Sequence, residues 1–289
     1  SGIGISADTG TASDDFNTAT AAQTLTATLS AAAAGSDIVY VSVNAGSSWT
    51  DKTSDVSGTA LSTSITLTDD TTSAIHIKVT DAAGNDGTAG TQAYTHDDTA
   101  PTISFSSVDI SADTGTSDSD FNTKTAAQTL TATLSGAIEN DDILQTSVNA
   151  GSSWTNDDHN TAAGTSLSTA ITLSGSSAIH IRITDDAGNS GTASTTSYTL
   201  DTTAPTQTYS SVDISDDTGD SATDWDTATA AQTLTATLSA AIASDDILQI
   251  SVNNGGAWTN DDHNTAAGTS LSTAMTLVAG GAEFHIRIT

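Results

Sequence analysis

The sequence contains no cysteine, two prolines, one methionine and only five lysine and arginine residues in 289. The lack of cysteine excludes disulfide frameworks, thiol catalysis and cysteine-ligated zinc sites. Against the five basic residues stand 35 acidic ones, which give a formal net charge of -30. Such a balance repels nucleic acid and anionic lipid and favours cations, so we expect no nucleic-acid partner.

Long apolar runs are missing as well. No stretch approaches the roughly 20 apolar residues of a membrane-spanning helix, and no secretion signal opens the chain, so we expect no direct membrane insertion. No nucleophile elbow, phosphate-binding loop or HExxH motif occurs, so we expect no catalysis. The chain begins at Ser1 rather than at methionine, which is typical of a piece of a longer protein.

One long segment occurs three times, starting at Ile5, Ile110 and Ile214 and ending each time in AAQTLTATLS. A period of roughly a hundred residues indicates an array of domains rather than a solenoid of short repeats. We therefore predict three repeats, at residues 1–98, 99–202 and 203–289. The third stops before the turn and tail that close the second, so we expect it to lack a final strand.

Within each repeat, apolar and polar residues alternate, which is typical of half-buried β-strands. In TLTATLS, for example, Leu130, Ala132 and Leu134 share one face and threonines occupy the other. The second repeat has seven such segments, at 103–110, 128–135, 143–149, 153–156, 167–173, 178–184 and 192–200. This number in about a hundred residues predicts an all-β protein of tandem immunoglobulin-like β-sandwich domains arranged end to end.

Both prolines lie at the same place in the repeat, Pro101 in HDDTAP and Pro205 in LDTTAP. Proline fixes φ near about −65° and favours an extended residue before it, so it would stiffen the link between two sandwiches. The aspartates just upstream are Asp97, Asp98 and Asp201. We expect them to meet acidic loops of the next repeat, because the two ends of one sandwich lie far apart.

Three acidic clusters are candidates for calcium (Ca2+), which takes about 6 to 8 oxygen ligands, usually from loops. The first combines the linker residues with a turn, and it comprises Asp81, Asn85, Asp97, Asp98, Asp185, Asp186, Asn189 and Asp201. The second follows the first strand, and it comprises Asp8, Asp14, Asp15, Asp113, Asp118, Asp120, Asp217, Asp220 and Asp224. The third comprises Glu139, Asp141, Asp142, Asp157 and Asp158. The alternative is that these are solvated loops that keep the protein soluble.

One histidine position and one tryptophan position also recur in all three repeats. His76, His180 and His285 alternate with core positions of a strand and should face outward. Trp49, Trp154 and Trp258 follow a hairpin turn and could pack at the sandwich rim or stack on a sugar. His159 and His263 could join a metal site with neighbouring carboxylates, although a plain polar loop also explains them. Threonine-rich strand faces could suggest ice binding, but β-propensity explains them.

The segments DTTAPT, SADTGTSDSDF, AAQTLTATLS, SVNAGSSWT and RITDDAGNSGTA resemble the tandem bacterial immunoglobulin-like repeats of giant RTX-type surface adhesins, which are exported by type I secretion. The resemblance covers essentially the whole chain. It implies an extender on the bacterial cell surface, in which calcium within and between neighbouring repeats makes the array rigid. The extender would project a ligand-binding tip and support adhesion or biofilm formation. Since GGxGxD repeats and a recognisable ligand-binding domain are lacking, the chain resembles the rod and not the tip.

Two alternatives come from other classes of protein. One is a subunit of a calcium-dependent surface layer or extracellular filament, which would self-assemble by strand addition at the incomplete third repeat. The other is a carbohydrate-binding module that uses the repeated tryptophans.

Overall fold

The structure is a computed structural model that describes residues 2–68, 71–115, 117–139, 141–157, 164–243, 246–261, 268–281 and 283–289. These ranges consist of β-strands, turns and one short 3-10 helix at Thr53–Asp55, which confirms the all-β prediction. None of the helical structure in them is long and apolar enough to cross a membrane. The candidate residues Asp158, His159 and His263 lie outside the described residues.

The chain divides into two compact units, Ser1–Asp201 and Thr202–Thr289. The first sandwich of unit 1 contains the strands β1 (Asn17–Thr18), β2 (Ala22–Thr28), β3 (Ile38–Ser42), β4 (Thr50–Asp51), β5 (Val56–Ser57), β6 (Ala60–Thr66), β7 (Thr71–Thr80) and β8 (Gly90–His96). One sheet has the order β1-β8-β7-β3-β4 and the other has the order β2-β6-β5.

The second sandwich of unit 1 repeats this plan. Its strands are β9 (Phe105–Ile110), β10 (Asn122–Thr123), β11 (Ala127–Leu134), β12 (Ile143–Ser147), β13 (Thr155–Asn156), β14 (Ser166–Thr172), β15 (Ser177–Thr184) and β16 (Ser194–Leu200). The sheets have the orders β10-β16-β15-β12-β13 and β14-β11-β9. All seven predicted strands are present. The short β10, which pairs with β16 in parallel, was not predicted because two residues carry no alternating pattern.

Unit 2 contains the strands β17 (Tyr209–Ile214), β18 (Ala231–Leu238), β19 (Leu248–Ser251), β20 (Thr259–Asn260), β21 (Ser270–Thr276) and β22 (His285–Ile288). They form two three-stranded sheets, with the orders β17-β18-β21 and β20-β19-β22.

The alternating pattern buries one face of each strand. In β11 the side chains of Gln128, Leu130, Ala132 and Leu134 are buried, and the threonines between them are exposed. The described residues form three separate hydrophobic cores, one in each predicted repeat. These packed pairs of sheets confirm the tandem immunoglobulin-like β-sandwich fold, whereas the repeat boundaries at 98 and 202 stay a prediction.

Candidate functional site

A buried glutamine fixes the loop that follows the first strand of each repeat. The Gln23 side chain accepts the Ala7 N–H at 2.8 Å and donates to the carbonyls of Ala7 at 2.8 Å and Thr20 at 2.7 Å. Gln128 and Gln232 make the equivalent bonds in the other two repeats. These glutamines were not predicted from the sequence. The available signal was a glutamine at an inward position of AAQTLTATLS.

The loop anchored by this glutamine carries the second acidic cluster. Phe16 has a left-handed backbone with φ 62°, and its N–H donates to Asp8 Oδ2 at 3.2 Å. Asp15 Oδ1 accepts the Asn17 N–H at 2.9 Å. Burial raises the pKa of Asp8, and the nearby Asp15 and Asp14 carboxylates raise it further, against the opposing effect of the Phe16 N–H. The loop therefore holds carboxylates close enough to repel one another.

The same carboxylate oxygen is left unpartnered in each repeat. Asp8 Oδ1, Asp113 Oδ1 and Asp217 Oδ1 are buried and have no hydrogen-bond partner in the described part of the chain. The other oxygen of Asp113 accepts Phe121 N–H at 2.8 Å, and that of Asp217 accepts Trp225 N–H at 3.2 Å. A buried acceptor without a donor is costly, so three equivalent cases point to a property of the repeat.

The remaining acids of this cluster hold the loop or face solvent. Asp120 Oδ1 accepts Asn122 N–H at 3.0 Å, and Asp224 Oδ1 accepts Asp226 N–H at 3.1 Å. Asp118 and Asp220 are exposed. Over the described ranges, no group of three or more His, Cys, Asp or Glu side chains is arranged to hold a metal ion. A cation here would therefore need backbone carbonyls or water besides the carboxylates, which calcium accepts readily.

The turn of the first cluster is closed by its own side chains. Asp185 Oδ1 accepts the Asn189 N–H at 2.7 Å, and Asp185 Oδ2 accepts Asn189 Nδ2 at 2.9 Å. Asp81 and Asn85 make the same bonds in the first repeat, where the Asn85 side chain is the main cause of a lowered Asp81 pKa. Both oxygens of each aspartate thus shape the turn, and a role in metal binding stays a prediction.

The turn of the second repeat lies against the acidic loop of the first repeat. Asp186 Oδ2 accepts Asn17 Nδ2 at 2.6 Å, and Asp186 Oδ1 accepts the Thr11 hydroxyl at 2.8 Å. The Thr9 hydroxyl donates to the carbonyl of Ala187 at 2.7 Å. Neutral donors of one repeat therefore bind an acidic turn of the next.

The first linker, which begins at Asp97, also lies at this contact between the first two repeats. Asp97 N–H donates to the carbonyl of Thr18 at 3.1 Å, and its own carbonyl accepts Asn189 Nδ2 at 2.8 Å. Its carboxylate caps the linker by accepting the Thr99 N–H at 2.8 Å. Asp97 thus meets the next repeat through its backbone carbonyl. Asp201 N–H makes the equivalent bond to Thr123, while the side chains of Asp98 and Asp201 are exposed.

The third cluster faces the turn of its own repeat. Burial, and then the negative charges of Glu139 and Asp185, raise the pKa of Asp142 to about 6. A carboxyl whose pKa is higher in the folded than in the unfolded protein binds its proton more readily when folded. Its ionised form therefore destabilises the second repeat at neutral pH, and stability is gained as the pH falls from about 7 towards 4.

We expect Asp142→Asn to stabilise the second repeat at pH 7 in chelator, because it removes this unfavourable charge. The gain should be about 1 kcal/mol, since solvent screens a half-buried carboxyl, and it should vanish near pH 4. Thermal unfolding at both pH values checks this, with the exposed neighbour Asp141→Asn as the control. A gain of equal size at both pH values would contradict the raised pKa.

The repeated tryptophans are covered by basic side chains. The Arg182 guanidinium lies 3.9 Å from the centroid of the Trp154 ring, with the His180 ring 6.2 Å away on the same outer face. Arg287 covers Trp258 at 3.9 Å, and Lys78 covers Trp49 at 4.5 Å. A cation thus occupies one face of each of these indoles, and the carbohydrate-binding alternative stays a prediction.

The fold and the loops define a tandem immunoglobulin-like β-sandwich protein. No protein-family model matches the chain, and a search of curated proteins finds no significant match. Among solved structures, the chain is similar to the FN1–FN3 domains of chicken CNTN1, at 12% identity and a TM-score of 0.33, over 99% of this chain and 91% of that chain.

A tetra-tandem repeat in the extending region of a large adhesion protein is similar at 16% identity and a TM-score of 0.24. That match covers 96% of this chain and 66% of the other. Likenesses this weak carry no argument about function.

Proposed function

We propose that the chain is a calcium-rigidified extender, or stalk region, of a bacterial cell-surface adhesin, which projects a ligand-binding tip outside the cell and supports adhesion or biofilm formation. One observation carries the proposal: each repeat buries the same carboxylate oxygen without a partner, on Asp8, Asp113 and Asp217. Such an oxygen is a suitable ligand for a hard cation. The cation would both occupy the unpartnered acceptor and offset the negative charge of the neighbouring acid. The sequence resemblance to adhesin repeats and the tandem fold support the extender role.

The residues that would hold calcium are the paired acids of each loop, Asp8 with Asp15, Asp113 with Asp120 and Asp217 with Asp224. Calcium, when bound, would supply the positive charge that offsets their repulsion. The chain then acts mechanically. Gln23 ties the first loop to the core, and Thr11 and Asn17 of that loop hold the turn of the next repeat. A loop stiffened by an ion would thus stiffen the junction between repeats.

We expect a chelator to lower the unfolding temperature markedly, because the paired carboxylates repel when the loop is empty. One site with calcium at 100 times its dissociation constant contributes about 2.7 kcal/mol, and each repeat offers such a loop. Magnesium should rescue poorly, because it demands a smaller octahedral set of ligands. Calorimetric scans with calcium, magnesium and chelator measure these differences.

The triple variant Asp8→Asn, Asp113→Asn, Asp217→Asn is the control. It should lose the calcium effect, yet unfold at a higher temperature than the original chain in chelator, because the repulsion is gone. Identical scans of the original chain in calcium and in chelator would refute the calcium part of the proposal. The proposed partners are accordingly calcium ions and neighbouring repeats of the same chain, and the expected lack of catalysis stays a prediction.

A further inference from the structure

The same turn occurs in the first two repeats but has different surroundings. In both, the first aspartate N–H donates to the asparagine carbonyl at 3.0 Å, from Asp81 to Asn85 and from Asp185 to Asn189. The turn of the first repeat is exposed throughout, whereas Asp185 and Ala187 in the second are only 8% and 4% exposed. The surroundings, and not the turn itself, account for this burial, because the turn of the second repeat lies against Thr9 of the first repeat and near Asp142 of its own repeat.

The two turns differ at one position that matters for docking. The second repeat has Asp186 where the first has Ala82. Both oxygens of Asp186 are used in the docked turn, one by the Thr11 hydroxyl and the other by Asn17 Nδ2. Hydrogen bonds to a charged acceptor are stronger and more selective than those between neutral groups. The loop of the first repeat is therefore matched to a turn that carries a carboxylate.

The loop of the third repeat has the opposite character at the same two positions. Asp220 replaces Thr11 and Asp226 replaces Asn17. The backbone of this loop has the same hydrogen bond in both repeats. Asp226 N–H donates to Asp224 Oδ1 at 3.1 Å, and Asn17 N–H donates to Asp15 Oδ1 at 2.9 Å. Two ionised carboxylates offer no donor, so this loop would repel a turn like that of the second repeat.

We propose that these positions form a pairing code that decides which repeat can dock on which. A loop with threonine and asparagine selects a turn with aspartate, as in the first two repeats. A loop with two aspartates selects an immunoglobulin-like repeat whose turn has a small neutral residue, as Ala82 is in the first repeat. The code consists of hydrogen bonds and charge within the junction, so it does not depend on whether calcium binds.

The test is a cycle of substitutions in the full chain, measured in chelator. Spin labels at Ser62→Cys and Ser168→Cys, both on exposed strand positions of a chain without other cysteine, report the distance between the first two sandwiches. Four labelled chains are compared. The first carries no further change, and the second carries Asp186→Ala. The third carries the pair Thr11→Asp and Asn17→Asp, and the fourth carries all three changes. Each substitution introduces a residue that another repeat has at the same position, so the loops and turns should still fold.

Asp186→Ala should lower the ratio of docked to undocked molecules about tenfold to a hundredfold, because two hydrogen bonds to a charged group are lost. The Thr11 and Asn17 pair should lower it at least as far. Adding Asp186→Ala to that pair should raise the ratio again, since it removes the repulsion. Ala82→Asp, in the exposed turn of the first repeat, should leave the distance distribution unchanged.

The reversal of sign distinguishes a code from ordinary packing. Recognition by charge is refuted if Asp186→Ala lowers the docked fraction both with the original loop and with the Thr11→Asp, Asn17→Asp loop. It is also refuted if no variant changes the distances between the spin labels. Either result would leave the calcium proposal standing, because the calcium scans test a different set of residues.

Discussion

Replacing Gln128 with alanine should destabilise the second repeat by about 3 to 5 kcal/mol and leave the first and third repeats nearly unchanged. Gln128 is 4% exposed, and its side chain holds the Ala112 N–H and the carbonyls of Ala112 and Thr125. Truncation leaves these part-buried backbone groups without their partner, at about 1 to 3 kcal/mol for each group that water does not reach. Hydrogen exchange resolved by peptide separates the three repeats and measures the change.

The matched control is Thr131→Ala, on the exposed face of the same strand. It removes a side chain that faces solvent, so its effect should stay within about 0.5 kcal/mol. Gln128→Ala should also weaken calcium binding by the second repeat, because the Asp113 loop loses its tie to the core. If the two variants were equally stable, the glutamine would not anchor the loop.

The strands could be predicted from the sequence because their pattern is local. Buried and more exposed side chains alternate along β11 and β15, as apolar and polar residues do in the sequence. Both strands were therefore predicted to within a few residues of their bounds. Gln128 breaks this pattern, since an inward glutamine gives no hint of which backbone groups it will satisfy. Two of those groups belong to Ala112, which lies 16 residues away across the loop, and the third is the carbonyl of Thr125, three residues away. Hydrogen bonds of this kind follow from the three-dimensional fold and not from periodicity.

At the candidate site, too, the sequence indicated the acidic residues but not the groups that they contact. Composition and spacing indicated Asp97, Asp186 and Asn189 as oxygen ligands, because they cluster at a predicted linker and turn. In the structure they hold two repeats together by direct hydrogen bonds, and Asn17 and Asp186 are 169 positions apart. The partners Thr11 and Asn17 are neutral and common in this sequence, so nothing in their local pattern singles them out.

The junction also explains how an acidic turn can dock on an acidic loop in a protein of net charge -30. The carboxylate of Asp186 meets hydroxyl and amide donors, and Asp15 and Asp8 direct oxygens to backbone N–H groups of their own loop. Charge is therefore compensated by donors at short range. This arrangement requires close approach of the two backbones, which makes the glycine of the turn critical.

Gly188→Ala should undock the second repeat from the first. Gly188 has φ 98°, and an added Cβ would lie 2.3 Å from the carbonyl oxygen of Thr9, which is far inside contact distance. The Thr11 amide, which donates to the Asp186 carbonyl at 3.2 Å in the docked state, should then exchange with solvent much faster. Hydrogen exchange by NMR on this single amide, in calcium and in chelator, measures the docked population.

Gly84→Ala provides the matched control for this variant. Gly84 is the equivalent residue of the first repeat and has φ 87°, so alanine meets the same backbone strain of about 1 to 2 kcal/mol. An added Cβ there meets no heavy atom within 4 Å in the described part of the chain. The control should therefore leave the exchange of the Thr11 amide unchanged, while Gly188→Ala accelerates it. Equal exchange rates in the two variants would show that the turn is not docked in solution, and a rigid first junction would have to be abandoned.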